Sequence, residues 1–240
     1  MATVISEKIT INGVGSDIIF DGFDFTANGY IEVKNATSVT VRNCRVYNMN
    51  LTAIKNYWLK IYGDIETKLV IENNFFGSNP TSGSNRMYNL IEPTAKLMNG
   101  SSISNNYFVD DCCYHNVINV YGCVEQANVN INGNVIAMTA GGIRIGVKGS
   151  PVCTINVRDN KVLALNPNYS DEGQGIVTIE GYGKETTSFA NMAIVMSGNE
   201  IPCEQTIYAG YGSNDLILTN NNMPKVIVDG KVVDVVIYKW

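Results

Sequence analysis

Two adjacent carboxylates, a histidine and an arginine are the residues of this 240-residue chain whose types and spacing could support catalysis. Asp110 and Asp111 stand side by side, His115 follows them, and Arg144 lies in the stretch GGIRIG. Hydrolysis of a glycosidic bond needs two carboxylates on opposite sides of that bond, so this group is the candidate for such a reaction. The alternative, which we favour, is that Asp110 and Asp111 belong to a solvated turn.

The sequence predicts neither a metal nor a cofactor. Asp171 and Glu172 lie on a long polar segment, but two adjacent acids make a poor cage for calcium. The six cysteines lack the paired CxxC spacing of a zinc site. The glycine motifs that bind phosphates or dinucleotides are absent, and so is a nucleophile elbow.

The elements that must position any site follow from an internal repeat. Segments such as IENNFF, ISNNYF and VRDNKV share one template: apolar, any residue, Asn/Gly/Asp, usually Asn, any residue, apolar. Eight copies begin at positions 20, 41, 71, 103, 131, 157, 196 and 218. In most copies a further apolar residue stands two positions earlier. This alternation predicts a short half-buried strand that ends in a sharp turn.

The asparagines of the template are predicted to turn the chain and to stack. Asparagine and glycine tolerate the left-handed backbone angles that such corners require. Equivalent asparagines in successive repeats can bond to one another, as in cross-β ladders. Cys44 occupies the same template position and is predicted to be a small buried filler. The predicted ladder consists of Asn74, Asn106, Asn134, Asn160, Asn199 and Asn221.

Further strands recur between the copies, for example in YIEVKN and GIRIGVKG, so each repeat holds at least two strands and, we expect, three. Eight repeats stacked at about 4.8 Å would form a rod roughly 35–40 Å long. This pattern resembles the right-handed parallel β-helix of pectate-lyase-like proteins. The resemblance covers residues 18–224 and implies an all-β fold, a single-stranded parallel β-helix of about eight coils with an Asn ladder.

The two ends of the chain are predicted to lie outside the β-helix. Residues 1–17 form an N-terminal segment that serves as a cap or an attachment. In residues 225–240, Asp229 and Gly230 separate two apolar runs, which predicts a hairpin with an Asp-Gly turn. Because an open sheet edge invites aggregation, we expect this hairpin to cap the last coil, to contact a neighbouring subunit, or both.

A Tyr-Gly pair recurs in four repeats, each time a few residues before the next copy of the template. A column of tyrosines at a corner could form a platform for sugar rings or a subunit interface, since tyrosine is enriched in both. The alternative is that these rings only cover the corner and pack along the rod. The tyrosines are Tyr62, Tyr121, Tyr182 and Tyr211.

Charge and hydropathy exclude several classes of function. The net charge is −5 and no basic stripe exists, so nucleic-acid binding is not expected. No apolar run reaches 18 residues, so we expect no membrane span. The stretch MATVISEKITING lacks the apolar region of a secretory signal, and we expect the protein to be made in the cytoplasm of its host cell.

The resemblance also suggests functions. In polygalacturonase-like β-helices an Asp pair, a His and an Arg lie on successive coils. Here His115 follows Asp111 by only four residues and lacks the Gly-His-Gly context of that family, so the match is incomplete. The short rod is more similar to the β-helices of bacteriophage virions: tailspikes, tail appendages and capsid decorations.

The similarity to virion proteins implies a non-enzymatic structural protein of a bacteriophage virion, displayed on the capsid or tail exterior. Its expected partners are other capsid or tail proteins and further copies of itself, with host-surface polysaccharide as a further candidate. One alternative is a β-helix polysaccharide lyase or glycoside hydrolase that acts on host-surface glycans. Another is a glycan-binding module without catalytic activity.

Overall fold

The fold is built from β-strands that form three sheets. The computed structural model describes residues 2–50, 57–77, 87–109, 113–121, 128–139, 141–148, 152–165, 177–182, 191–200, 208–211, 225–232 and 236–239. Within these ranges the regular secondary structure consists of β-strands alone. The protein is therefore all-β over its described part.

Each sheet takes, in order, strands from along the whole chain. The first sheet has seven strands: β1 (Thr3–Ile5), β4 (Phe23–Ala27), β7 (Arg45–Met49), β10 (Phe75–Phe76), β13 (Tyr107–Phe108), β16 (Val135–Thr139) and β19 (Lys161–Leu165). The second has nine: β2 (Ile9–Asn12), β5 (Ile31–Lys34), β8 (Leu59–Tyr62), β11 (Met87–Pro93), β14 (Cys113–Tyr121), β17 (Gly141–Lys148), β20 (Val177–Tyr182), β22 (Tyr208–Tyr211) and β25 (Val236–Lys239). The third also has nine: β3 (Asp17–Asp21), β6 (Ser38–Arg42), β9 (Lys68–Glu72), β12 (Ser101–Ser104), β15 (Asn128–Asn132), β18 (Cys153–Arg158), β21 (Met192–Ser197), β23 (Lys225–Val228) and β24 (Lys231–Val232).

From β1 to β18, successive strands enter different sheets, and each strand pairs with the strand three elements later. Among the described strands every pairing is parallel except that of β23 with β24. Parallel neighbours cannot be joined by a tight hairpin and need a long connection between them. Here that connection consists of strands of the other two sheets.

The three sheets enclose one apolar core. Strands of the third sheet alternate strictly, so that Val39 and Val41 in β6 are buried while their neighbours face outward. Phe25 from the first sheet and Ile61 from the second belong to the same buried cluster. Trp58 is fully buried, with ring centroids 5.0 Å from Phe25 and 5.3 Å from Phe76. β-branched and aromatic side chains favour such pleated, buried surfaces.

The corner after each strand of the third sheet is made by the third residue of the sequence template. This residue has a positive φ in all seven copies that the structure describes at this position: Gly22, Asn43, Asn73, Asn105, Gly133, Asp159 and Gly198. Glycine, asparagine and aspartate are the residues that adopt this conformation at least cost. The adjacent asparagines of ISNNYF therefore do different work, because Asn105 turns the chain while Asn106 is buried.

Two corner glycines are required by the neighbouring repeat as well as by their own backbone. A Cβ atom at Gly133 would overlap Oδ1 of Asn105, and a Cβ atom at Gly198 would overlap Oδ1 of Asp159. At Gly22, whose φ is also positive, a Cβ atom would meet no atom within 4 Å. The side-chain oxygen of one corner residue thus occupies the space that a Cβ atom at the next corner would need.

We expect Gly133→Ala to destabilise the protein more than Gly22→Ala does. Both alanines must adopt a left-handed conformation, which costs about 1–2 kcal/mol. Only the alanine at position 133 must also displace the side-chain oxygen of Asn105, so its loss of stability should be the larger of the two. Chemical denaturation of the two variants checks the difference, and equal losses would contradict the role of Asn105.

Both ends of the chain contribute strands to the sheets. The segment 1–17 contains β1 and β2, which pair in parallel with β4 and β5, so the parallel sheets begin well before residue 18. The segment 225–240 contains a hairpin with the predicted Asp-Gly turn, in which β23 pairs antiparallel with β24, and one further strand, β25. Asp229 and Gly230 of the turn both have positive φ, and β25 returns to the second sheet beside β22. β23 and β25 each extend an existing parallel sheet.

Candidate functional site

The most extended polar feature of the interior is a column of asparagine side chains. The fourth residue of the template is buried in the repeats beginning at 71, 103, 131 and 157. Side-chain Nδ2 of each of these asparagines donates to Oδ1 of the equivalent asparagine in the next repeat. The Nδ2–Oδ1 distances are 2.9 Å for Asn74 to Asn106, 3.0 Å for Asn106 to Asn134, 2.9 Å for Asn134 to Asn160 and 3.0 Å for Asn160 to Asn199.

Every hydrogen-bonding capacity of Asn106 is used. Its Nδ2 donates to Oδ1 of Asn134 and to the backbone carbonyl of Ile71, while its Oδ1 accepts bonds from both the backbone N–H and Nδ2 of Asn74. The same four bonds recur at Asn134. A buried amide is costly unless its donors and acceptors are paired, and here they are completely paired.

Cys44 stands at the head of the column. Its backbone N–H donates to Oδ1 of Asn74 at 2.9 Å, and its thiol is buried beside the carbonyls of Phe20 and Arg42. Burial raises the pKa of the Cys44 thiol, which keeps it in the neutral form. Asn221, the last member of the predicted ladder, lies outside the described residues.

The alternative catalytic group is not assembled by the strands that the structure describes. Asp110 and Asp111 lie outside the described residues. His115 is on β14 and Arg144 is on β17, but the register pairs Arg144 with Asn119, four residues beyond His115. The two backbone positions are thus separated by about 13 Å along the strand direction.

Several carboxylates are held in the ionised state by basic partners. Nε of Arg45 donates to Oδ1 of Asp24 at 2.7 Å, and this bond lowers the pKa of the nearly buried Asp24. Asn43 and Arg42 together lower the pKa of Asp21. A general acid for glycoside hydrolysis needs a raised pKa instead.

The ion pair of Asp24 has a consequence for acid stability. A lowered pKa in the folded state means that this carboxylate stabilises the fold above its ordinary pKa of about 3.9, and that the contribution is lost as the pH falls through the lower folded value. We therefore expect Asp24→Asn to be less stable than wild type at neutral pH but to lose less stability below about pH 4. Urea denaturation at pH 7 and at pH 3 tests this, and parallel pH curves for both proteins would contradict it.

Tyr62 belongs to a polar and aromatic cluster on the outer side of the second sheet. Nζ of Lys60 lies 5.6 Å from the ring centre of Tyr62 and 4.9 Å from that of Tyr57. Burial alone would raise the pKa of Glu32, but bonds from Lys8 and from the hydroxyl of Tyr57 outweigh it, and the pKa of Glu32 is lowered. The carboxylate is thus already bonded within the protein.

The register places Tyr62 and Tyr121 at the same level of the second sheet, but Tyr182 and Tyr211 lie at other levels. Tyr121 pairs with Gly146, and Gly146 pairs with Glu180. Tyr182 is two residues beyond Glu180 in β20, and it pairs with Lys148. Tyr211 pairs with Gly181, which lies one position beyond the level of Tyr121 and one position before Tyr182. The Tyr-Gly pairs recur in sequence, but the varying lengths of the preceding segments shift them along the strands.

An exposed aromatic pair, Phe75 and Tyr107, was not singled out from the sequence. The two residues pair in the first sheet, their rings lie 6.0 Å apart at an interplanar angle of 10°, and they are 40% and 41% exposed. Arg45 and Val135 are their neighbours in the same register. The sequence could have indicated this pair, because both residues occupy the fifth position of the template, which faces outward.

Other kinds of site find no support in the described part of the chain. There, no three His, Cys, Asp or Glu side chains group as a metal site, and no apolar helix has the length needed to cross a bilayer. The fold defines the class as an all-β protein built on parallel sheets. Comparison of the chain with protein-family models, with curated proteins and with solved structures finds no match.

Proposed function

We propose that the chain is a right-handed, single-stranded parallel β-helix of about eight coils, and that it serves as a non-enzymatic structural protein of a bacteriophage virion. The three-strand period of the pairing supports a helical path, because the chain returns to each sheet once per sequence repeat. Parallel crossover connections are right-handed in about 98% of cases, which supports the hand. In this assignment the sequence template marks one corner of every coil.

The amide column is the observation that carries the structural role. It connects five repeats by side-chain hydrogen bonds that are independent of the sheet ladders. Satisfied buried networks of this kind rigidify a fold. A rigid rod in which the carboxylates of Asp21, Asp24 and Glu32 are already bonded suits a spacer or a displayed surface better than a hydrolytic site.

The location proposed is the exterior of the capsid or tail, by analogy with the β-helices that this repeat resembles. The test is to sediment particles from a lysate of the source through a density gradient and to probe the fractions with an antibody against the protein. We expect the protein to travel with intact particles at a constant copy number after a high-salt wash. A protein that stays in the soluble fraction would overturn the assignment.

The enzymatic alternative makes a different prediction. A β-helix lyase or hydrolase would release unsaturated sugars or reducing ends from host-surface polysaccharide or polygalacturonate, with or without calcium. We expect no release. A turnover that is lost in Asp110→Asn or Asp111→Asn would replace the structural role by the catalytic one.

The glycan-binding alternative is favoured by one observation, the exposed and nearly parallel rings of Phe75 and Tyr107. Aromatic side chains expose an apolar body that could contact sugars on a host surface. A glycan array probed with the wild type and with the double variant Phe75→Ala/Tyr107→Ala tests this module. Binding that the double variant abolishes would establish it, with Val4→Ala, also exposed in the first sheet, as control.

A further inference from the structure

The outer face of the third sheet is a regular surface without large side chains at its centre. Eight parallel strands, from β3 to β23, pair with no register shift, so equivalent outward residues form straight rows. The central row consists of Ile19, Thr40, Val70, Ser102, Asn130, Asn156, Val195 and Ile227. Ile19, at one end of this row, is 60% exposed.

Both ends of this face carry charged residues. Arg42 and Asp21 form an ion pair, Lys68 donates to the carbonyl oxygen of Asn99, and Asp229 accepts from the N–H of Gly198. Asp17 and Glu72 lie towards the β3 end, and Arg158 and Lys225 lie towards the β23 end. Among the described residues none of these four takes part in an ion pair. Each end therefore carries charges that the other end could neutralise.

We propose that this face binds the same face of a second copy of the chain, in an antiparallel dimer whose two-fold axis runs along the strands between β12 and β15. This interface goes beyond the proposed function and does not depend on it. The axis places β9 against β18 of the second copy and β3 against its β23. Glu72 then faces Arg158 of the second copy, and Asp17 faces Lys225 of the second copy.

The same symmetry also matches the uncharged residues. Ile19 meets Ile227 of the second copy, so the most exposed apolar residue of the face is covered. Ser102 meets Asn130 of the second copy beside the axis, where two short polar side chains can bond across the interface. Facing sheets pack at about 10 Å, a distance that the small side chains of the central row permit.

A competing parallel arrangement differs from this one at Arg158. An axis perpendicular to the strands would keep the strand order and place β3 against β3 of the second copy. Glu72 would then face Lys68 of the second copy, and Asp17 would face Asp21. Arg158 would face Thr154 of the second copy and would gain no acidic partner, so only the antiparallel arrangement pairs Glu72 with Arg158.

The area of the face agrees with a modest dimer. Eight strands at about 4.8 Å, each presenting about five residues, cover roughly 600 Å² per copy, or about 1,200 Å² in total. That is the low end of the range for specific protein interfaces. We therefore expect a reversible dimer that weakens with added salt, because its charge pairs lie near the rim.

The test measures the dissociation constant of the purified full chain by sedimentation equilibrium. We expect Glu72→Arg and Arg158→Glu each to raise the dissociation constant at least 10-fold, because each places like charges opposite one another twice per dimer. The double variant Glu72→Arg/Arg158→Glu reverses both pairs and should restore the wild-type constant. Lys34→Glu, an equally large charge change on the exposed end of β5, is the control and should leave it unchanged.

Two outcomes would overturn the proposal. One is a wild-type chain that stays monomeric up to the highest concentration tested. The other is a dimer that both single variants leave intact, which would place the interface on another surface. Circular dichroism of each variant confirms that the fold is retained. Failure of particle association would leave this result untouched, so the two proposals are tested separately.

Discussion

Asn106→Leu is expected to lower the free energy of unfolding by about 3 kcal/mol, because two buried backbone groups lose their partners at once. The backbone N–H of Asn74 donates to Oδ1 of Asn106, and the backbone carbonyl of Ile71 accepts from its Nδ2. Leucine has the same branching at Cγ, although a larger volume, and it supplies neither bond. The melting temperature should fall by about 6–12 °C, as expected for a chain of this size.

The control for this variant is Asn12→Leu. Asn12 ends β2 and is exposed, so the same substitution there should change stability by no more than about 0.5 kcal/mol. Differential scanning calorimetry of both variants measures the difference. Equal melting temperatures would mean that the amide column contributes nothing to stability.

Deletion of residues 225–240 is expected to cause aggregation or loss of the folded state. The deletion removes β23 from beside β21 and β25 from beside β22, so two parallel sheets end in unpaired edges at the same time. It also removes Val226, which is buried in the core. Exposed edges next to apolar surface promote association of chains. Light scattering and the soluble yield report the result, and a soluble truncated chain that melts like the full chain would contradict it.

Two point variants test whether this segment stabilises the protein through its packing against the core. Val226→Asp places a carboxylate in the core and should unfold or strongly destabilise the protein, because an unpaired buried charge is very costly. Val232→Asp makes the same change on β24, where the side chain is 68% exposed, and should be tolerated. Equal behaviour of the two variants would show that β23 is not docked.

The strands after which the chain turns could be predicted from the sequence because two signals coincide there. Period-two alternation places Val39 and Val41 inside, and a residue that tolerates positive φ follows two positions after Val41. The sequence could not predict which of Asn105 and Asn106 turns the chain and which is buried, because asparagine is suited to both positions. Only the backbone angle at one and the burial of the other distinguish them.

The surface features were harder to predict, because the sequence of one repeat does not determine how its strands align with those of the next repeat. The Tyr-Gly pairs look equivalent, yet the segments before them differ in length and displace Tyr182 from the level of Tyr121. The pairing of Phe75 with Tyr107 arises from strands of only two residues, and so short a strand carries no periodic signal. The antiparallel fold-back of β24 depends on two adjacent positive φ angles, which Asp-Gly does predict.

The parallel pairing order also determines how cooperative the molecule can be. Each strand within a sheet bonds only to the strand before it and the strand after it, so the stabilising interactions run mostly between nearest neighbours. Arrays of this kind behave as one-dimensional systems, in which opening at an end costs only one interface whereas opening in the middle breaks two. Amide hydrogen exchange should accordingly be slowest around β12 and β15, and protection should decline towards both terminal strands as the array frays from its ends.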